Sequence, residues 1–391
     1  MNYKPTVRAC FVAYIVQATA NNFAPLLFLT LQAQYGIPLS QMTLLIGINF
    51  AIQLLVDGAS VFFVDKIGYR AAAVIGHAAS ALGLLALAIL PGYLPSPFAG
   101  LLIAVFLYAV GGGLLEVIVS PIVEACPSEH KAQTMSILHS FYCWGSAGVI
   151  LLSTLFMLAF GRERWPILAA LWAILPLVNG IAFLRVPLAP LIAEGETGLS
   201  IRELFSSRLF WIIMLMMMCA GASEQVVSQW ASTFAEQGLG VSKAVGDLAG
   251  PTMFALLMAL SRLLYGRFGR KLDLEKTILL SGVLCVASYL IIGFTHKPVS
   301  GLIGMGLWGF AVGVFWPGTF STAAVAMRRG GTAMFALMAL AGDFGCSAGP
   351  TLAGAIAGLA GDNLRLGILC CICFPALLIV GLFAMRSALK K

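Results

Sequence analysis

Three acidic residues fall deep inside apolar stretches of the chain: Glu116, Glu224 and Asp343. A charge at mid-bilayer costs at least about 2.5–3.5 kcal/mol on insertion scales, so each of them needs a partner, a polar cavity or a proton. Glu116 follows Gly111-Gly112-Gly113, where missing side chains let a neighbouring backbone or a small molecule come close. A carboxyl in such a place can take up and release a proton, accept hydroxyl groups, or simply bond to a neighbouring helix. Glu224 opens a polar stripe with Gln225, Ser228 and Gln229 at spacings of three and four. Tyr14, Gln17, Asn21 and Asn22 form a second stripe, and Asn49, Gln53 and Asp57 form a third. Such stripes cannot face lipid cheaply, so they either line a watery path or stitch helices together. His139 can share a proton with Glu116 or serve as a hydrogen-bonded packing residue. Trp316, followed by Pro317 and Gly318, offers a flat apolar face beside a weakened helix. Trp230 and Trp308 are expected near the same walls. Asp343 is expected to pair with an arginine such as Arg262 or Arg328, for packing or for gating. No Lys or Arg is expected deep in any helix, which argues for a neutral, hydroxyl-rich ligand over an anion.

The elements that must hold these groups follow from composition. Of 391 residues, 60% are hydrophobic and 10% charged, against roughly 25% charged in soluble domains. Mean hydropathy is +0.97. Apolar runs of membrane-spanning length recur throughout, so an all-α polytopic membrane protein is expected. Twelve transmembrane helices are predicted, near 9–32, 41–64, 71–91, 97–123, 132–160, 166–186, 209–235, 243–265, 274–295, 299–326, 331–359 and 364–386. They fall into two six-helix halves, 1–186 and 209–391. The stretch between, 187–208, carries Glu194, Glu196, Arg202, Glu203 and Arg208 and reads as a cytoplasmic linker. With both termini inside, 18 of the 23 Lys and Arg lie on the cytoplasmic side and 5 on the other, the bias that sets topology. The nine cysteines sit mostly in apolar runs and suggest no disulfide framework. No phosphate-binding loop, metal-ligand spacing or nucleophile–base set is present, so an enzyme is not expected and neither a cofactor nor a metal is predicted. The basic charge is spent on orientation, so nucleic acid is not an expected partner.

The halves echo each other. Ser146-Ala147-Gly148 recurs as Ser347-Ala348-Gly349, Ala109-Val110-Gly111 as Ala311-Val312-Gly313, and the basic loop from Asp65 to Arg70 as the one from Gly266 to Lys271. At the same offset Glu224 stands opposite Asn22, and Gly318 opposite Glu116. A duplicated bundle of this kind is expected to work at the seam between its repeats.

Two six-helix halves, a mid-chain linker and basic loops after the second and eighth helices together resemble the major facilitator superfamily. In that family's loop pattern, Asp65, Lys66, Gly68 and Arg70 match, while Val61 stands where the family has Gly. The resemblance implies a cytoplasmic gate made of these residues, to which Asp343 is added; loop charges that only set topology are the alternative. Within the superfamily the chain is most similar to the fucose–galactose–glucose:proton symporters. That likeness rests on Ala20-Asn21-Asn22-Phe23-Ala24-Pro25, Gly111 to Glu116 with Ser120-Pro121, Leu138-His139-Ser140-Phe141-Tyr142, and Trp316-Pro317-Gly318. Asn22 stands where proton-coupled members carry Asp, and Ser120 where they carry Asn. The resemblance implies a monomeric secondary transporter of the inner membrane, working by alternating access on a monosaccharide or related solute, in contact with lipid. Protons are the expected coupling ion, through Glu116 and Glu224. Gln17, Asn21, Asn22, Glu116, His139, Glu224, Gln225, Gln229 and Trp316 are the expected binding residues. Export of amphipathic or cationic compounds, passive transport and sodium coupling stay open.

Overall fold

In hydrocarbon a backbone can satisfy its polar groups only internally, and an apolar chain without strand alternation does so as helix. The computed structural model describes residues 2–192, 198–361 and 363–389. Glu194 and Glu196 of the linker, and Lys390 and Lys391, lie outside them. All regular structure among the described residues is helical. Ten helices there are long and apolar enough to cross a membrane. The first and eighth helical spans, Lys4–Leu26 continuing as Phe28–Tyr35 and Lys243–Phe268, complete a set of twelve.

Several spans are interrupted, and proline explains two of the breaks. The tenth runs as Pro298–Val312 and Phe315–Ala326, the twelfth as Leu364–Cys370 and Cys373–Leu389. Pro317 and Pro375 lack the N–H that would bond the carbonyl four residues back, which belongs to Gly313 and to Cys371, the residues at the breaks. The seventh span, Arg208–Thr233, ends in a π-helical turn over Phe234–Gly238.

By packing, the chain divides into two compact units. One comprises Met1–Pro127 with Phe141–Glu194, the other Ser128–Ser140 with Gly195–Lys391. The chain crosses between them three times: after Pro127, inside the fifth span, Lys131–Phe160, whose first turns group with the second unit, and in the linker region.

Glycines set the close helix pairs. In the first unit the third span, Tyr69–Tyr93, meets the fourth, Pro97–Ala125, where a methyl on Gly83 would lie 2.5 Å from the Tyr108 nitrogen. One on Gly111 would lie 2.6 Å from the Gly76 oxygen. One on Gly113 would press Val56 of the second span, Leu39–Ile67. The Gly111–Gly113 run therefore serves helix packing on two sides. In the second unit, Gly309 and Gly313 bring the tenth span onto Phe254, Met258 and Ser261 of the eighth. The repeat is visible in the packing: Gly145 of the fifth span lies against Ile15 of the first, and Gly345 of the eleventh, Gly331–Leu359, against Met218 and Ala222 of the seventh.

Buried polar groups add fixed joints. His77 Nδ1 lies 2.7 Å from the Ala73 carbonyl, and its Nε2 lies 2.8 Å from Asn179 Nδ2, which also donates to the Ala9 carbonyl at 3.0 Å. With Nδ1 protonated and Nε2 accepting, every contact is satisfied, so the third, sixth (Trp165–Arg185) and first spans are tied by one neutral imidazole. On the second unit, the linker forms a short helix, Ile201–Ser206, closed by a capping box. The Ser200 amide donates to Glu203 Oε2 at 2.7 Å, and the Glu203 amide to Ser200 Oγ at 3.2 Å. The Leu199 amide donates to the Arg329 carbonyl at 2.8 Å.

Candidate functional site

In the first unit the predicted residues converge on the first span. Gln17 is buried and its Nε2 donates to Glu116 Oε2 at 2.6 Å. Glu116 itself is half-buried. One turn on, Asn21 Oδ1 accepts from Gln53 Nε2 at 2.7 Å and from Asn49 Nδ2 at 3.2 Å, while Asn21 Nδ2 donates to Tyr142 Oη at 3.3 Å. Asn22 Nδ2 donates to its own helix at the Ala18 carbonyl, 2.8 Å away, and to Ser146 Oγ at 3.1 Å. Tyr14 and Ser120 hydroxyls pair at 3.0 Å. The stripe on the second span thus serves Asn21 through Asn49 and Gln53. The result is one carboxyl among neutral amides and hydroxyls, drawn from the first, second, fourth and fifth spans. Gln17 Oε1 and Asn49 Oδ1 are buried without a partner, so the network carries spare acceptor capacity. A small, partly open depression of about 20 Å³ adjoins it, with Asn21, Asn49 and Tyr108 among apolar walls that include Phe28 and Phe50.

In the second unit Glu224 is an ion-pair partner. Its Oε2 accepts from Arg262 Nη2 at 2.9 Å, with the side chains 15% and 4% exposed. The same guanidinium donates from Nε to the Gly313 carbonyl at 3.0 Å and from Nη1 to the His139 carbonyl at 3.3 Å. Ser136 Oγ of the fifth span donates to the Arg262 carbonyl at 2.7 Å. Arg262 is thus a deeply buried cation in the eighth span, contrary to the expectation that none lies deep in a helix. Its position, six residues before the end of Lys243–Phe268, made it look like a cytoplasmic flanking charge. Its apolar flanks, Ala259-Leu260 and Leu263-Leu264, were the signal that it needs an internal partner.

The other predicted residues of this unit take varied positions. His139 packs in the second unit, its ring stacked on Phe320 at 5.9 Å between centroids. Phe320 in turn stacks on Phe335 at 5.4 Å and meets Trp316 edge-on at 6.3 Å. Trp316 is 8% exposed and covers Gly342, next to the half-buried Asp343. Gln225 is half-buried and Gln229 exposed. Trp308, expected at a cavity wall, is instead fully buried against Tyr289, its Nε1 donating to the Ser223 carbonyl at 2.8 Å. Gly304 lets the ninth span, Leu274–Phe294, approach at Ile291 and Ile292, and Gly306 and Gly309 let the eighth approach at Met253, Leu257 and Phe254. Trp230 Nε1 donates to the Pro350 carbonyl at 3.0 Å.

At the loop after the second span, Gly68 takes φ +83°, a conformation glycine adopts without strain. Asp65 and Lys66 are exposed. Arg70 turns inward and donates to the Phe183 and Val186 carbonyls at 2.6 and 2.9 Å, satisfying the C-terminal end of the sixth span.

These features agree with comparisons to known proteins. Over residues 9–350 the chain matches the profile of the Major Facilitator Superfamily. No curated protein sequence matches it significantly. Among solved structures it is similar to the Escherichia coli fucose:proton symporter FucP, with 15% identity, 98% of this chain and 99% of that one covered, and a TM-score of 0.83. The proton:xylose symporter XylE, solved with 6-bromo-6-deoxy-D-glucose, gives 11% identity, coverage of 97% and 95%, and a TM-score of 0.80. The human organic anion transporter MFSD10 gives 18% identity, coverage of 98% and 100%, and a TM-score of 0.68. At these identities the likeness establishes the fold, while the profile match covers most of the sequence: the chain is a multi-pass membrane transporter that belongs to the major facilitator superfamily.

Proposed function

We propose that this transporter carries a monosaccharide or a closely related hydroxyl-rich solute by alternating access, coupled to protons through Glu116. The observation that carries the reading is the Gln17–Glu116 bond at 2.6 Å, set beside the Asn21–Asn49–Gln53–Tyr142 network. Neutral amides and hydroxyls supply donors and acceptors at the density a sugar presents, and the half-buried carboxyl, bonded by a neutral amide, can take a proton. Asn21 and Asn49 stand beside Phe28 and Tyr108, and amides next to aromatic rings suit a solute with one polar edge and one CH face. Arg262 adds no case for an anionic cargo, since Glu224 already balances it. Gln225, Gln229 and Trp316 of the second half, and His139 of the fifth span, are proposed as further contributions to the path. Asp65, Lys66, Gly68, Arg70 and Asp343 are proposed as gating residues, with both termini cytoplasmic in the inner membrane and the monomer as the working unit. The fold likeness to FucP and XylE, each described as a sugar:proton symporter, supports this reading.

The test is uptake into proteoliposomes of labelled fucose, xylose, galactose and glucose, with and without an inward proton gradient. One pH unit corresponds to 1.36 kcal/mol, so one coupled proton supports accumulation of up to about ten-fold. Glu116→Gln is expected to reduce accumulation to simple equilibration while keeping sugar exchange. Concentrative uptake unchanged in Glu116→Gln removes Glu116 as the carrier. A sodium gradient that drives uptake where a proton gradient does not, or extrusion of a lipophilic cation with no sugar flux, refutes the proposal.

A further inference from the structure

The tenth span breaks where Pro317 cannot donate to the carbonyl of Gly313, four residues earlier. A buried carbonyl left without a donor costs about 1–3 kcal/mol. In this structure the donor comes from another helix: Arg262 Nε lies 3.0 Å from the Gly313 oxygen. The approach is possible because residue 313 is glycine, since a methyl there would lie 2.8 Å from Ser261 Cβ and 2.9 Å from the Met258 oxygen. Arg262 also reaches the seventh span through Glu224, at 2.9 Å, and the fifth through the His139 carbonyl, at 3.3 Å.

We infer that Arg262 is the positioning residue of the tenth-span hinge: its guanidinium stands in for the backbone N–H that Pro317 lacks, and Glu224 holds it there. The three roles share one planar group with a fixed fork of donors, so they are not independent. Removing the charge at residue 224 frees the guanidinium to turn, and the Gly313 carbonyl loses its donor. The bend at Gly313-Val314 is therefore set from the seventh span, through a side chain of the eighth. Trp316 and Phe320 lie just beyond the bend, so the orientation of the aromatic group around His139 follows from it. A lysine at 262 would keep the charge but not the fork, and could not serve Gly313 and Glu224 together in the same geometry. The inference holds whatever solute or ion is carried.

The test is hydrogen–deuterium exchange by mass spectrometry on the full-length protein in lipid nanodiscs, followed on peptides covering residues 309–320. Arg262→Leu is expected to speed exchange there about ten-fold, the factor expected from losing one hydrogen bond from a charged donor. Glu224→Gln should speed it in the same peptides by a smaller factor. Pro317→Ala restores the backbone donor, so adding Arg262→Leu to it should change exchange less than about two-fold. Arg262→Leu with Glu224→Gln removes the charge imbalance but not the missing donor, so the fast exchange should persist. Where Arg262→Leu is not recovered folded, Arg262→Lys carries the same comparison with and without Pro317→Ala. Unchanged exchange in the Arg262 variants, an undiminished effect in the Pro317→Ala background, or full restoration by Glu224→Gln would each overturn the inference.

Discussion

Trp316 was expected to present its ring to a solute, but in the structure that ring lies over Gly342 of the eleventh span, and Gly342→Ala tests how fully it is committed there. A methyl on residue 342 would stand 2.7 Å from Trp316 Cζ3 and 3.0 Å from Cζ2. Carbon–carbon contacts relax only near about 3.5–4.0 Å, so the ring must retreat by roughly 1 Å or the helices must part. Both options meet resistance. Behind the ring stands Phe320, itself stacked on Phe335. On the helix side, Gly342 and Gly345 lie against Gly221 and Met218 of the seventh span. Overpacking of this kind costs about 1–3 kcal/mol. Trp316→Phe removes the ring atoms that meet the methyl, at about 1 kcal/mol for the space left behind. The double variant should therefore be no less stable than Gly342→Ala alone, giving an interaction energy of about 1–3 kcal/mol in a double-mutant cycle. The assay is the unfolding midpoint of purified protein in detergent for all four variants. Additive losses, with no recovery in the double variant, would mean that the ring does not rest on residue 342, and the description of this wall would fail.

Asn21→Ala should destabilise more than Asn22→Ala, because it strands the buried amides of Asn49 and Gln53, about 1–3 kcal/mol for each donor, whereas Asn22 leaves only a helix carbonyl and Ser146 behind; unfolding midpoints of the two variants decide it. Asn179→Leu should cost about 2–4 kcal/mol by leaving both His77 Nε2 and the Ala9 carbonyl without their partner, while Ser228→Ala, on a half-buried position, should change little. Arg70→Ala should speed amide exchange at the end of the sixth span, near Phe183 and Val186, and leave the loop at Asp65 unaffected. The linker helix should depend on pH. Hydrogen bonds from Ser200, and then the charge of Arg329, hold the exposed Glu203 carboxyl below its usual value of 4.5. A group with a lowered folded value stabilises above its unfolded one, so the capping box should be complete above about pH 4.5 and lost as pH falls further. Exchange of the Glu203 amide across that range, flat in Glu203→Gln, is the check.

The fold was largely legible because membrane insertion leaves few options. Long apolar runs must be helices, and their ends are marked by Gly68, by the charges at 267–276 and by Pro97 and Pro298 at first turns. What the pattern could not convey was the use of each polar residue. Helical spacing put Tyr14, Gln17, Asn21 and Asn22 on one stripe, but only the fold shows that Glu116 and Gln53 come to them from residues 99 and 32 positions away. Gly111–Gly113 was read as room for a ligand or a helix, and the third and second spans occupy it. Arg262 was misplaced because spacing along one helix shows the distance to the helix end but not the depth of the surrounding packing. Trp308 was misread for a similar reason: an indole serves equally at a wall or in a core, and nearby glycines decide which.

The half-length repeat places Asn22 opposite Glu224 and Glu116 opposite Gly318, and the structure gives that asymmetry a physical content. Two carboxylates of the predicted set, Glu116 in the first unit and Glu224 in the second, are held differently. Glu116 is held by the amide of Gln17, a neutral donor. Protonating it gives up a charge-assisted bond, about 1.5–3 kcal/mol, and the amide can still bond the acid. Glu224 is held by Arg262, both side chains largely buried. Breaking that pair by removing one partner is a loss on the scale of about 3–5 kcal/mol. At Glu224 the same event would also release the Gly313 carbonyl and the fifth-span carbonyl of His139 from their shared donor. The first unit holds its carboxylate by a neutral amide, and the second holds its own by a guanidinium that also serves two backbone carbonyls. A duplicated bundle gains that difference only by letting the equivalent positions diverge in charge while the glycine contacts that pack the helices, at Gly145 and at Gly345, stay in place.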